Sequence, residues 1–105
     1  MRLKIEFHPD FALDIKEAVH WYNEQQSGLG NKFFSNVKRE VNRLQTSALN
    51  FAIRYDDVRC LPMKKFPYII HFYIDLNNKS VKIIALFHTS RDPDLWEKRS
   101  RKNNY

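Results

Sequence analysis

Polar and apolar residues alternate with a period of two over residues 2–7. Leu3, Ile5 and Phe7 share one face and Arg2, Lys4 and Glu6 the other, the pattern of a half-exposed strand. The period changes at His8-Pro9-Asp10. A residue before proline avoids helical geometry, whereas proline itself is accepted in a first helical turn, so a helix opens here. Phe11, Ile15, Ala18, Val19 and Tyr22 recur along it as one apolar stripe. The only two glycines of the chain follow in Ser27-Gly28-Leu29-Gly30. Gly28 is placed to end the first helix in a left-handed conformation. So short a connection folds the next helix back antiparallel on the first. That helix carries the stripe Phe33, Val37, Val41 and Leu44, with Phe34 at its edge, and its pattern fades over residues 46–50.

Residues 50–57 are expected to be a loop anchored by Phe51 and Tyr55. Strands follow over roughly 58–65 and 68–75, turning at Phe66-Pro67. Pro62 lacks an N–H for the ladder, which assigns the first of them to a sheet edge. In the second, Tyr68, Ile70, Phe72 and Ile74 face the helices, and Ile69, His71, Tyr73 and Asp75 face the other way. The polar turn 77–80 leads into VKIIALFHTSRD, residues 81–92, a β-branched run buried on both faces that ends in a histidine, two hydroxyls and an arginine. Strict alternation places Lys82, Ile84, Leu86 and His88 on one face and Val81, Ile83, Ala85 and Phe87 on the other. Its polar end is equally a site or a simple exit from a sheet. Residues 93–102 form a short basic helix with Asp92 as N-cap, Pro93 at its first position and Trp96 as its hydrophobic peg.

The order β-α-α-β-β-β-α predicts an α+β fold in one domain over residues 1–105. An antiparallel sheet carries a helical hairpin on one face, and a short C-terminal helix lies near a partly open second face.

Charge sharpens this picture. Of the net +6, residues 1–50 carry seven Lys/Arg against six Asp/Glu, and residues 51–105 eleven against six. The sheet half and tail are therefore the basic part, suited to a phosphate backbone or an acidic protein segment, or simply to solubility. One cysteine, Cys60, precludes an internal disulfide, and no stretch has the length and apolarity of a bilayer span. Both point to the cytoplasm and to no membrane partner.

Several chemistries are excluded by spacing. His8, His20, His71 and His88 lack metal-ligand spacing, Cys60 has no CxxC partner, and the GLG segment joins helices instead of cradling phosphate. No metal and no cofactor is expected. The remaining set is basic and aromatic, expected on one side of the sheet: Arg59, Lys64, Lys65, His71, Tyr73, His88 and Arg91. A metal-independent ribonuclease uses such residues: an acid or base such as His88, cations such as Arg59, Lys64 and Arg91 for the phosphorane charge, and an aromatic such as Tyr73 to stack a base. Each also has a plainer explanation. His71 is a half-buried strand residue, Arg91 and Asp92 make an ion pair or a cap, and Lys64 and Lys65 guard a strand edge.

Across Phe7 to about Arg99 the chain resembles the RelE/ParE superfamily of toxins from type II toxin–antitoxin operons. The resemblance rests on Ala12 with Asp14-Ile15, Ala18, Trp21-Tyr22, Gly28-Leu29-Gly30, Phe33/Phe34 with Val37 and Leu44, Arg59, Phe66-Pro67-Tyr68 with Ile70 and Tyr73, and Ala85 through Pro93. It implies a growth-inhibiting toxin, a cognate antitoxin, and one of two targets. One branch cuts mRNA on the ribosome, and the ParE-like branch poisons DNA gyrase. The FHTSRDP ending is similar to the ParE branch, and Ile69 stands where the nuclease branch often has arginine. His88, however, stands where some nuclease members keep a histidine. The gyrase reading is favoured, with the Arg91 region and the tail residues Lys98, Arg99 and Arg101 as target contacts, alongside Lys65, His71 and Tyr73. The alternative is an endoribonuclease using His88, Arg59, Lys64 and Arg91.

Overall fold

The computed structural model describes residues 2–96. Strand β1 (Lys4–Phe7) leads into helix α1 (Pro9–Gln25) and helix α2 (Leu29–Ser47). A 3-10 turn (Ala48–Asn50) follows, then strands β2 (Ile53–Tyr55), β3 (Val58–Pro62), β4 (Tyr68–Asp75) and β5 (Ser80–His88). The five strands form one sheet in the order β1-β5-β4-β3-β2. The helical hairpin lies on one face. The architecture is the expected α+β arrangement, with two additions. β2 occupies the expected loop, and β1 pairs with β5 in parallel while the other pairs are antiparallel. Parallel pairing follows from the route, because the two-helix crossover returns the chain to a meander whose last strand runs alongside the first.

Sequence accounts for the element ends. The His8 side chain caps α1, accepting the Asp10 N–H at Nδ1 (3.1 Å), with Pro9 in the first turn. α1 closes at Gln26 in extended geometry. Gly28, at φ +86°, instead opens α2, so its left-handed conformation serves the start of the second helix and not the end of the first. Gly30 has a different task. A Cβ there would lie 2.4 Å from the Val19 carbonyl oxygen, so its absence lets the helices meet, and its N–H donates to Asn23 Oδ1 at 2.8 Å.

Pro62 is not on an edge strand. It is the last residue of β3, beyond the reach of β2, which pairs only at Ile53↔Arg59 and Tyr55↔Val58. A proline there removes a donor that no neighbour would have used.

The main core joins Phe11, Ala18 and Tyr22 of α1 and Phe33, Val37, Val41 and Leu44 of α2 to Ile70, Phe72, Val81, Ile83 and Leu86 of the sheet. A second core lies on the other face. Val58, Ile84, Ala85 and Phe87 pack under Trp96, with Ile69 and Tyr73 at the margin. β5 is thus buried on both sides, as its apolar run required, and the second face is covered where Trp96 sits. Asp92 caps the helical residues 93–96, its Oδ1 accepting the Asp94 N–H at 2.9 Å, as expected. Residues 97–102 of the expected tail helix, including Lys98, Arg99 and Arg101, lie outside the described residues.

The strict alternation expected for β5 fails at one point. His71 pairs with Ala85 and Phe72 with Ile83, which leaves Ile84 as an extra residue. This β-bulge turns both Ile84 and Ala85 to the second core and returns Leu86 to the helices. Val81 and Ile83 therefore share a face with Leu86, and the strand's final residues point to the side opposite the one that alternation from Val81 assigns.

Candidate functional site

The bulge decides where His88 goes. It stands at the end of β5 on the helix side, its ring edge-on to Tyr68 with centroids 5.2 Å apart. There it borders an open cleft of about 520 Å³, lined by Asp14, Glu17, Trp21 and Tyr22 of α1 and by Tyr68, Ser90 and Arg91. Trp21 is 54% exposed, an unusual solvent contact for so large an indole.

The cleft is chemically mixed. The Ser90 backbone N–H donates to His88 Nδ1 at 3.0 Å, and the Ser90 hydroxyl lies 2.8 Å from the same nitrogen. Because a backbone N–H can only donate, Nδ1 is the acceptor, and the neutral imidazole carries its proton on Nε2. Asp14 Oδ2 accepts the Leu86 N–H at 2.9 Å. Tyr68 has its phenol pKa raised, first by burial and then by the carboxylates of Glu17 and Asp14. Burial likewise raises that of Tyr22, with Tyr68 adding to it. The guanidinium of Arg91 lies over the Phe87 ring, 5.3 Å from its centroid.

The other residues picked out by sequence do not join this cleft, and the set expected on one side of the sheet is dispersed. Arg59 pairs across the sheet with Phe72, which puts it on the helix side, and its guanidinium donates to the Phe51 carbonyl. It borders a shallow pocket near the β4–β5 turn together with Tyr73, Asp57 and Asp75. The Asp75 carboxyl there is held below its usual range, chiefly by hydrogen bonds from Asn78. Lys64 is exposed in the β3–β4 turn, and Lys65 leans toward α2.

His71 is fully buried in the second core, not half-buried. Its Nδ1 lies 2.9 Å from the Tyr55 hydroxyl and 3.5 Å from Cys60 Sγ, and its ring lies 4.6 Å from that of Trp96. It is a packing residue. Burial pushes the neighbouring Cys60 thiol up to about 11, so this thiol is inert at neutral pH.

Sequence reasoning about the site missed Asp14, Glu17, Trp21 and Tyr68. The available signal was Trp21, a large aromatic one position off the buried stripe of α1. Among the described residues no cluster of His, Cys, Asp or Glu has metal-binding geometry, and no helix is long and apolar enough to cross a membrane.

A second surface feature lies on the helices. Phe7, Phe11 and Ile15 with Phe34, Val37 and Val41 form an apolar groove of about 430 Å³, bordered by Lys38. Phe7 and Phe34 are 57% and 40% exposed at its mouth, while Phe11, Val37 and Val41 form its buried floor.

The family described as "ParE toxin of type II toxin-antitoxin system, parDE" matches residues 5–93. No curated protein matches the chain significantly. Among solved structures, the chromosomal ParDE system of P. aeruginosa superposes with a TM-score of 0.75 at 18% identity, covering 85% of this chain and 98% of that one. The RelBE2 toxin–antitoxin complex of Mycobacterium tuberculosis gives 0.62 at 14% identity, over 84% and 99%. A mutant E. coli RelE bound to a peptide of its antitoxin RelBc gives 0.60 at 12% identity, over 93% and 94%. At these identities the likeness is one of fold.

Proposed function

Because the chain belongs to the family of ParE toxins of type II toxin–antitoxin systems, we propose that this toxin arrests growth by binding its target and not by cutting RNA. The target that its ParE-like ending implies is DNA gyrase. The observation that carries this reading is the state of His88. Its Nδ1 already accepts the Ser90 N–H and so is not free to take the proton of a 2′-hydroxyl. Two carboxylates, Asp14 and Glu17, line the same cleft and oppose a phosphodiester, while Arg59 is engaged elsewhere with the Phe51 carbonyl. A cleft with donors, carboxylates and an exposed Trp21 suits a protein surface, where aromatic and arginine side chains act as anchors.

The cognate antitoxin takes the apolar groove of the helical hairpin. An amphipathic segment fits it, apolar side chains toward Phe7, Phe11 and Phe34 and acidic ones toward Lys38. Such a segment covers exposed apolar surface that a lone toxin leaves in water.

The test is expression without antitoxin, read in parallel for transcript integrity and gyrase-linked DNA breaks, together with supercoiling by purified gyrase. Inhibited supercoiling with intact transcripts is the expected result. Transcripts cut in a translating extract in the presence of chelator, with cutting lost in His88→Ala, would establish the ribosome-dependent endoribonuclease instead.

A further inference from the structure

The cleft beside His88 is opposite in charge to the chain that forms it. The net charge is +6, yet the carboxylates of Asp14 and Glu17 stand in the cleft wall. Arg91 borders the cleft too, but its guanidinium leans over the Phe87 ring, which belongs to the second core on the other face of the sheet. Glu17 forms no ion pair among the described residues. The two acids are felt inside the cleft, where both raise the pKa of the Tyr68 phenol and no cation lowers it in return. At physiological salt, charges beyond about 8 Å are screened. An incoming group therefore meets this local negative field and not the basic surface around it.

The aromatic residues of the cleft add an independent feature. Tyr22 is 8% exposed, and its ring is clamped by Phe33 and Phe66 with centroids 5.0 and 5.2 Å away. Its hydroxyl has no hydrogen-bond partner among the described residues, although a phenol that buried ordinarily finds one. Tyr22 lines the cleft, so the missing partner can reach it from there. Trp21 is exposed beside it, held edge-to-face with centroids 5.0 Å apart. An apolar side chain entering this space would strip water from Glu17 and return nothing. A phosphate or a carboxylate would meet two like charges. A cation meets neither objection, and a guanidinium fits best. It is planar, stacks on an indole, and brings five N–H donors to a carboxylate and two phenol oxygens.

We propose that the cleft takes an arginine side chain presented by the protein that the toxin binds, with Glu17 as its counter-charge, Trp21 as its stacking face and the Tyr22 and Tyr68 hydroxyls as acceptors. The proposal rests on the reading of this cleft as the target-binding surface and adds the chemistry that the target must offer there. Nucleic acid carries no such group.

Titration of the purified toxin with N-acetyl-arginine amide, and with its citrulline analogue as the uncharged isostere, tests this. In the wild-type protein the arginine compound should shift the Trp21 indole N–H and the amides of residues 17–22, a readout that needs no variant to fold. The citrulline compound, alike in shape, should bind about threefold to fivefold more weakly. Glu17→Gln and Trp21→Leu, both at exposed positions, should each weaken arginine binding by a similar factor. Glu6→Gln, an acid removed on β1, should leave it within about twofold. Equal binding of the two compounds, shifts confined to other surfaces, or wild-type affinity in Glu17→Gln would overturn the proposal. Supercoiling by purified gyrase separates its failure from that of the proposed function. A wild-type toxin that leaves gyrase active while the arginine compound still shifts Trp21 sinks the gyrase reading and leaves the arginine slot standing. Full inhibition by the Glu17→Gln/Trp21→Leu double variant does the reverse.

Discussion

The carboxylate of Asp14 accepts the backbone N–H of Leu86 at 2.9 Å, so a helix side chain completes a strand. β1 pairs with β5 only as far as Phe7↔Ile83, and His8 adds one more bond, its N–H donating to the Ile83 carbonyl. Beyond that point β5 has no neighbouring strand on this side, and Leu86 is 3% exposed. Its N–H would be buried and unpaired without Asp14. The contact also fixes α1 over the end of β5 and hence sets Glu17 and Trp21 opposite His88.

Asp14→Ala should therefore cost about 1–3 kcal/mol, the penalty of a buried donor left unmade. Asp14→Asn keeps an accepting oxygen and should lose distinctly less. Urea unfolding measures both, and amide exchange at Leu86 should accelerate selectively in the alanine variant. Equal losses for the two substitutions would show that the N–H bond is not the source.

The two glycines should separate cleanly. Gly28 has open space around a would-be Cβ but sits at φ +86°, so Gly28→Ala should cost about 1–2 kcal/mol and Gly28→Asn less, since asparagine tolerates the left-handed region. Gly30 has ordinary backbone geometry but a carbonyl 2.4 Å from the would-be Cβ, so Gly30→Ala should cost about 1–3 kcal/mol by forcing the helices apart, and Gly30→Asn more. Thermal midpoints of the four variants check the order. Asparagine tolerated at both positions would contradict it.

Trp96 is the lid of the second core. It is 7% exposed, packs against His71 and lies parallel to Phe87 with centroids 6.4 Å apart. Trp96→Ala should destabilise by about 3–5 kcal/mol. It should also remove the buried component of indole emission, leaving the red-shifted signal of exposed Trp21. A variant with unchanged unfolding midpoint would show that this face is covered by other means.

Stability should fall on the alkaline side. The Cys60 pKa is raised from 9.0 to about 11, mainly by burial, and those of Tyr22 and Tyr68 are raised from 10.0. A raised pKa means that the folded state keeps its proton longer than the unfolded one. The stabilisation is complete below about pH 9 and is lost as pH climbs through the folded values. Cys60→Ala should flatten the part of this decline between pH 9 and about 11. At pH 8 the native thiol should react with a disulfide reagent about 100-fold more slowly than in the unfolded chain, the ratio of thiolate populations for a shift of that size. Native and unfolded rates that coincide would refute the burial argument.

Most of the fold was legible because periodicity reports burial directly. The stripes of α1 and α2, the faces of β4 and the two-sided burial of β5 are all carried by spacing. Three things were not. β2 is a three-residue strand whose pairing depends on Asp56 and Asp57 adopting φ of 41° and 65°, a turn that aspartate allows without announcing it. The bulge at Ile84 adds one residue, and since side chains alternate with period two, one residue reverses everything after it. The cleft assembles Asp14 and His88 from elements that no local pattern relates. Residue types at the end of β5 pointed to His88, but only its backbone neighbour Ser90 fixes which nitrogen holds the proton.

The pairing of Lys4 with Ser80 has a consequence for how the chain comes into being. β1 precedes the helical hairpin and β5 follows three further strands, so the hairpin is synthesised before the strand that joins β1 to the sheet. Contacts of such sequence separation are slow to close, and the apolar face of α1 and α2 stays uncovered in the interval. Synthesis thus leaves the sheet incomplete until β5 has emerged.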